Sequence, residues 1–385
     1  MPAALRAKFD EFRNWSALAQ RQTGKSALTQ FKEIRALRGM GGQCGVSDYY
    51  WYKLYDDNFQ AGRGARDFLG WRLQQSFSMA LNPRHVVLPA WDKLVFMTLA
   101  GAAGLPVAPL RAYYHRARVI PDALGEHLAT PAAAAAFLRD GANFPLFAKP
   151  AYSQQGVGCD YLASYDGAAD SLVLLDGATI GVDQFVQRLS ASIDPRYHRP
   201  ECGFVFQQPL TLAPELRALT NWTAICGARV ICLNGPDGIV PILGLWKIAN
   251  EPNYVDNFSK GAYGNLMGYV DVHTGVVTRM LGGLWPNTEV IVDHPRTGAR
   301  LEGLQLPGWE RVLEICRQGG AAFPLMKIHH WDFALTDRGP VILELNDLGG
   351  TIGSQLYGHG LLTEDIRGFL RRHASPAAHP WIKSL

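Results

Sequence analysis

The segment that most constrains this chain runs from His330 to Asn346: His-Trp-Asp-Phe-Ala-Leu-Thr-Asp-Arg-Gly-Pro-Val-Ile-Leu-Glu-Leu-Asn. Two apolar runs flank Asp337-Arg338-Gly339, a turn composition, and together they read as a β-hairpin. A three-residue loop over 337–339 pairs Thr336 with Pro340 and, counting outward, sets Asp332 opposite Glu344. Partners of that kind hold their Cβ atoms about 4.5–5.5 Å apart. Asn346 shares the Glu344 face, while Phe333, Leu335, Leu343 and Leu345 turn the other way into a core. Facing carboxylates repel unless a cation lies between them. Two acids and a neutral amide oxygen form a hard ligand set suited to Mg2+ shared with nucleotide phosphates. A merely solvated polar face fits poorly with strands so apolar on their other side.

The rest of the sequence must build a body for that hairpin. With 385 residues, 48% hydrophobic and 18% charged, it has an ordinary globular composition and enough length for two or three domains. Basic and acidic residues number 37 and 34, for a net charge of +3, and no polybasic tract points to nucleic acid or an anionic membrane. Six cysteines without a Cys-x-x-Cys spacing make neither a disulfide framework nor a zinc site, and Cys226 and Cys232 read as small core residues. The N-terminus carries no apolar signal core, and no run reaches the roughly 18–20 apolar residues of a membrane span. A cytoplasmic protein is the expectation.

Residues 1–40 read as basic amphipathic helix with a break at 39–45. The cluster Tyr49-Tyr50-Trp51-Tyr52 with Tyr55 follows and reads as a packing surface. From Val86 onward short β-rich runs alternate with helical ones, which indicates an α+β or α/β fold. The pattern predicts helices over 91–103, 181–191 and 363–373, strands over 144–151, 203–208, 222–233 and 239–248, and the hairpin over 328–346. No repeat or low-complexity linker separates these parts, so the domains should pack closely.

Several motifs fail on inspection. Thr23-Gly24-Lys25-Ser26 ends like a phosphate-binding P-loop, but the required upstream glycine is Ala19 and both flanks read helical. Gly353-Ser354-Gln355 does not complete a nucleophile elbow, because Leu356 replaces its last glycine. His329 and His330 are adjacent on a strand, face opposite ways and cannot easily share a metal. Others survive. Phe144 to Pro150 reads as a strand delivering Lys149 to the loop Ala151-Tyr152-Ser153-Gln154-Gln155-Gly156-Val157-Gly158, whose backbone N–H groups can fold over polyphosphate. Trp91-Asp92-Lys93 opens a helix stopped by Gly104-Leu105-Pro106. Arg229 lies in an otherwise apolar strand, where its charge requires an anion or a solvent-filled cleft.

In order and spacing these segments resemble the ATP-grasp superfamily, and within it the sugar-transfer-associated ATP-grasp family related to α-L-glutamate ligases. The resemblance runs through Asp92-Lys93, Gly104-Leu105-Pro106-Val107, Lys149-Pro150 with Gly156-Val157-Gly158, and Phe206-Gln207-Gln208-Pro209-Leu210. It continues through Asn221 to Arg229, Val255 to Gly261, His294-Pro295-Arg296-Thr297-Gly298, Leu306 to Trp309, and Asp332, Glu344 and Asn346, over roughly residues 45–370. It implies an α+β, ATP-grasp fold with ATP sandwiched between two subdomains. The expected division is a helical N-terminal region over 1–85, a small lid subdomain over 86–205 and a large metal-bearing subdomain over 206–385. It further implies that Lys93 and Lys149 contact the α- and β-phosphates, that Ser153, Gln154, Gly156, Val157 and Gly158 form a lid, and that Gln207, Gln208, Pro209 and Leu210 form the adenine hinge. Asp332, Glu344 and Asn346 would bind one or two Mg2+ ions, and Arg229, Lys247 and Lys260 would act on the transferring phosphate. Asp256, Asn257, Ser259, Gly261 and His294 would lie on the substrate side. One departure stands out: Gln207-Gln208 fills a place where many relatives carry an acid, which leaves the adenine and ribose contacts less defined. The implied activity is a carboxylate–amine ligase working through an acyl phosphate on small-molecule substrates. A small-molecule kinase on the same scaffold and a non-catalytic nucleotide-binding scaffold are the alternatives.

Overall fold

The computed structural model describes all residues except 1–2, 60–63, 118–119, 122–123, 154–155, 197, 251–253, 285–286 and 376, with the backbone alone of 3–9, 11 and 260. The chain opens with α1 (Ala3–Thr23), α2 (Ala27–Arg38) and α3 (Val46–Trp51), followed by α4 (Gln74–Leu81), α5 (Leu88–Trp91) and α6 (Lys93–Ala102). The P-loop look-alike is the turn between α1 and α2. Ser26 caps α2 by accepting the Thr29 N–H, and Lys25 pairs with Glu33 at 3.0 Å. The expected helix over 91–103 is two helices. The carboxylate of Asp92 accepts the N–H groups of Leu94 and Val95 and so starts α6 afresh.

A first sheet contains β1 (Leu110–Tyr114), β2 (Glu126–Leu128), β3 (Leu146–Pro150), β4 (Asp160–Asp166), β5 (Ser171–Leu174), β6 (Thr179–Gly181) and β7 (Phe204–Gln207), in the order β2-β1-β7-β3-β4-β5-β6. Helices α7 (Pro131–Leu138) and α8 (Val182–Leu189) cover one face, packing Phe137, Val182 and Phe185 onto Ala148 and Phe206. Lys149 pairs with Val205 and therefore points to the opposite face, with Tyr113 and Leu94. Strand β7 crosses the expected 205/206 division, held in this sheet between β1 and β3.

After α9 (Pro214–Thr220), a second sheet is built from β8 (Gly227–Gly235), β9 (Gly238–Ile248), β10 (Leu266–Val270), β11 (Val277–Gly282), β12 (Glu289–Ile291), β13 (Ile328–Thr336) and β14 (Gly339–Asn346). Its order is β12-β11-β10-β9-β8-β13-β14, antiparallel throughout. The strand expected from 222 begins only at Gly227. One face packs Val230, Trp246, Trp331 and Phe333 beneath α10 (Trp309–Ala322), and Phe96 and Met97 of α6 join the same core. The other face buries Ile231, Leu243, Leu245 and Met267 with residues of the N-terminal region and of α11 (Glu364–His373).

The hairpin reaches its expected pairing by a different path. The turn has two residues, with Thr336 opposite Gly339, and a bulge at Leu343 restores Asp332 opposite Glu344. The bulge also exchanges two side chains: Ile342 is 1% exposed and takes the core place expected for Leu343, which is only half-buried.

Candidate functional site

Cross-strand pairing brings the polar residues of the second sheet together. Asp332 is opposite both Glu344 on β14 and Arg229 on β8. Lys247 on β9 lies two residues beyond Leu245, the partner of Arg229, and so shares their face. Arg229 donates Nε–H to Asp332 Oδ1 at 2.7 Å and a second N–H to Oδ2, a forked pair that holds this carboxyl well below its usual range despite burial. Burial alone would lower the Arg229 and Lys247 pKa values, but Asp332 raises Arg229 and Asp256 with Asp332 raises Lys247, so both stay charged. Asp256 lies 3.3 Å from Lys247 Nζ and accepts the Gly227 N–H at 2.8 Å, so it braces Lys247 against the start of β8.

The Asn346 amide donates to Glu344 Oε1 at 3.1 Å and approaches Asp332 Oδ2 at 3.4 Å. Three oxygen-bearing side chains therefore converge as the hairpin register requires. The chemistry of this set fits a divalent hard cation, which the two carboxylates and, after a half-turn, the amide oxygen would hold. Among the described residues no group of three His, Cys, Asp or Glu is placed to hold a metal ion.

The first sheet contributes cations. Lys149 is 7% exposed and makes no ion pair among the described residues. Burial and the neighbouring Lys93 lower its pKa to about 8, while Glu344 across the cleft acts in the opposite sense. Lys93 donates to the Ser153 carbonyl at 3.3 Å, and its own N–H bonds Ala151 O at 3.0 Å, which ties the start of α6 to the end of β3. In the loop that follows, Gly156 (φ +76°) and Gly158 (φ +77°) hold left-handed backbone, and a Cβ on Gly156 would stand 3.4 Å from Val255. Gly156 thus lies against the segment that leads into Asp256. Gln154 lies outside the described residues, as does the side chain of Lys260, although its backbone forms a short 3-10 turn with Ser259 and Gly261.

Other expected residues are placed differently. Gln207 is 4% exposed and turns its amide inward to the Ala108 carbonyl at 3.1 Å, which leaves only backbone groups of the 207–210 hinge for the expected adenine contact. The Gln208 N–H is likewise taken by Pro109 O. Pro209 and Leu210 begin the crossing to the second sheet, where Ala213 N bonds Leu335 O and Asp337 N bonds Thr211 O. His294 is 1% exposed and organises its own turn through Thr297, and that turn is fastened to the end of α9 by Arg296 and Thr297. Asn257 accepts the Ser259 N–H, and its own carbonyl accepts from Asn265, so it shapes the loop beside Asp256. His329 faces away toward the carbonyls of Phe323 and Met326. His330 lies on the site face opposite Asn346, where burial and Arg229 lower its pKa to about 3 and keep it neutral.

Three features escaped the sequence reading. Gly349 and Gly350, both at positive φ, lie three and four residues after Asn346, and a Cβ on Gly350 would stand 3.1 Å from Arg229 Nη1. The glycine pair after the hairpin was the available signal. Asp347 accepts the Trp91 indole N–H at 3.0 Å and anchors α5 to the end of β14. Cys159, directly after the lid, has Lys149, Lys93 and Glu344 as electrostatic neighbours, yet burial pushes its thiol pKa up.

Comparison with known proteins adds the following. The profile of the sugar-transfer associated ATP-grasp family matches residues 72–367. No curated protein matches by sequence. Among solved structures, D-alanyl-alanine synthetase A from Vibrio cholerae is similar at 14% identity and a TM-score of 0.39, over 73% of this chain and 66% of that one. The VanG D-Ala:D-Ser ligase from Enterococcus faecalis is similar at 12% identity and a TM-score of 0.41, over 73% and 62%. The L-amino acid ligase from Bacillus licheniformis is similar at 10% identity and a TM-score of 0.37, over 73% and 48%. The chain thus spans about half to two thirds of the length of these solved proteins.

Proposed function

The chain belongs to the sugar-transfer associated ATP-grasp family, and from that premise we propose that it is an ATP-dependent ligase that activates a carboxylate as an acyl phosphate and passes it to an amine. The observation that carries this reading is the charge arrangement across the cleft. Lys149 is a buried cation without a carboxylate partner among the described residues, and its electrostatic neighbours include Glu344 of the opposite sheet. A buried unpaired cation facing a carboxylate pair suits a polyphosphate carrying a divalent metal, with Lys149 and Lys93 on the phosphate oxygens.

Asp332, Glu344 and Asn346 are the residues that would hold Mg2+, which when bound offsets charge on the transferring phosphoryl group. The loop expected to act as a lid, of which Gly156 lies against Val255, would exclude water from the activated acid. In the first step a substrate carboxylate oxygen bonds to the γ-phosphorus as the bond to ADP breaks. In the second the amine nitrogen attacks the acyl carbon, phosphate leaves and the nitrogen loses a proton. Arg229 and Lys247, charged and fixed on one sheet face, suit the steadying of that phosphate between the two steps. Neither step needs a protein nucleophile.

The test is ADP release over pooled carboxylic acids, with hydroxylamine offered in place of the amine. A ligase gives an acid-dependent hydroxamate, and Arg229→Met gives much less of it at saturating ATP. A stable phosphorylated product from the active substrate, with no hydroxamate, would establish the kinase alternative instead.

A further inference from the structure

The net charge of the whole chain conceals an asymmetry. The first 40 residues hold eight Lys and Arg against three Asp and Glu, a net of +5 within a total of +3, which leaves −2 for the remaining 345 residues. The structure shows where part of this charge lies. Helix α2 buries Gln30, Ile34 and Leu37 against the body. At 100° per residue, Leu28, Lys32 and Arg35 fall on the opposite side, with Phe31 and Arg38 beside them. All five are exposed, and the two apolar ones are far out of the core, Leu28 at 65% and Phe31 at 60%. Among the described residues no acid pairs with Lys32, Arg35 or Arg38, because Glu33, the one acid of the helix, is held by Lys25 and the Tyr49 hydroxyl.

We infer that the outer face of α2 is a docking surface for an anionic membrane. A helix lying in a bilayer interface needs large apolar groups that enter the headgroup boundary and cations beside them that meet lipid phosphates. Leu28 and Phe31 with Lys32, Arg35 and Arg38 supply both on one exposed face. Nucleic acid would be met by the same cations, but its phosphate backbone gives Leu28 and Phe31 nothing to enter. No helix among the described residues is long and apolar enough to cross a membrane, so the attachment is peripheral. One short helix face gives reversible, salt-sensitive binding.

Flotation of the full chain with phosphatidylcholine vesicles, and with vesicles in which about a third of the lipid is phosphatidylglycerol, tests this. The protein should float with the anionic vesicles at low salt and not with the neutral ones. Leu28→Ser/Phe31→Ser and Lys32→Glu/Arg35→Glu should each weaken that binding by roughly tenfold or more. The melting temperature and the calorimetric affinity for ADP should not change in either variant, since neither touches the cleft. Failure to float at low salt overturns the inference, and so does flotation of the Leu28→Ser/Phe31→Ser variant equal to wild type. Capture by duplex DNA that depends on Lys32 and Arg35 but not on Leu28 and Phe31 would replace the membrane with nucleic acid.

Discussion

The two sheets that face the cleft treat charge in opposite ways. The second sheet pairs its buried cations: Arg229 is forked onto Asp332, and Lys247 is braced by Asp256. On the first sheet Lys149 lies buried beside another cation, and no acid pairs with it among the described residues. These two pairs are therefore finished electrostatic units whose members depend on one another, whereas Lys149 carries a standing penalty that an arriving anion relieves. Breaking a pair should therefore destabilise one wall, and removing Lys149 should relieve the other.

The largest effect belongs to Asp332→Asn. It leaves Arg229 buried without its carboxylate, which costs about 3–5 kcal/mol of stability, and turnover should fall with it. Pairing Asp332→Leu with Arg229→Met should recover most of the melting temperature and none of the turnover. An Asp332→Asn protein that melts like wild type would dissolve the contrast between the walls. Glu344→Gln comes next. Glu344 has no ion pair among the described residues and accepts from the Asn346 amide, so the fold should hold while turnover drops about a hundredfold or more. Near wild-type turnover at limiting Mg2+ would remove Glu344 from the metal assignment.

On the other wall Lys149→Met should weaken ADP binding roughly tenfold or more, yet raise thermal stability by about 1–3 kcal/mol at pH 7, since it deletes a buried unpaired charge. The pH dependence follows in sign. The folded-state pKa is lowered to about 8 from the ordinary lysine value of 10.5, so between these pH values the unfolded chain binds more protons at this group. Wild-type stability should rise across that interval relative to Lys149→Met, and a parallel pair of pH–stability curves would refute the assignment. ADP binding should weaken as pH climbs through 8, because the phosphates need the protonated amine. The smallest effect concerns the lid, where hydrogen exchange at the described positions 156–159 should slow when a non-hydrolysable ATP analogue and Mg2+ are added. Unchanged fast exchange would leave closure to some other segment.

Much of the second wall was legible because strand alternation is a local rule. Asp332, Glu344 and Asn346 follow from counting along one hairpin, and even the mistaken loop length was cancelled by the bulge at Leu343. The bulge itself was not legible, since nothing in Val-Ile-Leu distinguishes Ile342 from Leu343 as the core residue. Arg229 was marked as a charge in need of a partner, but the partner depends on β8 lying beside β13, a long-range fact absent from either strand. The destination of the Gln207 side chain was not legible for a related reason: it is set by the Ala108 carbonyl on a neighbouring segment. The outer face of α2 was hidden by averaging charge over the whole chain.

The core shared by the two chain ends has a consequence for synthesis. The amide of Gln355 bonds both the N–H and the carbonyl of Leu69, and Tyr50, Phe68 and Phe77 share their core with Leu356, Ile366 and Leu370. Residues up to about 80 therefore leave the ribosome long before the segment that covers them exists. At about 5–20 residues per second, roughly 300 further residues occupy about 15–60 s of translation. Through that interval the part of the N-terminal aromatic surface that Leu356, Ile366 and Leu370 complete has no native cover, so a nascent-chain chaperone should contact it until the last helix emerges.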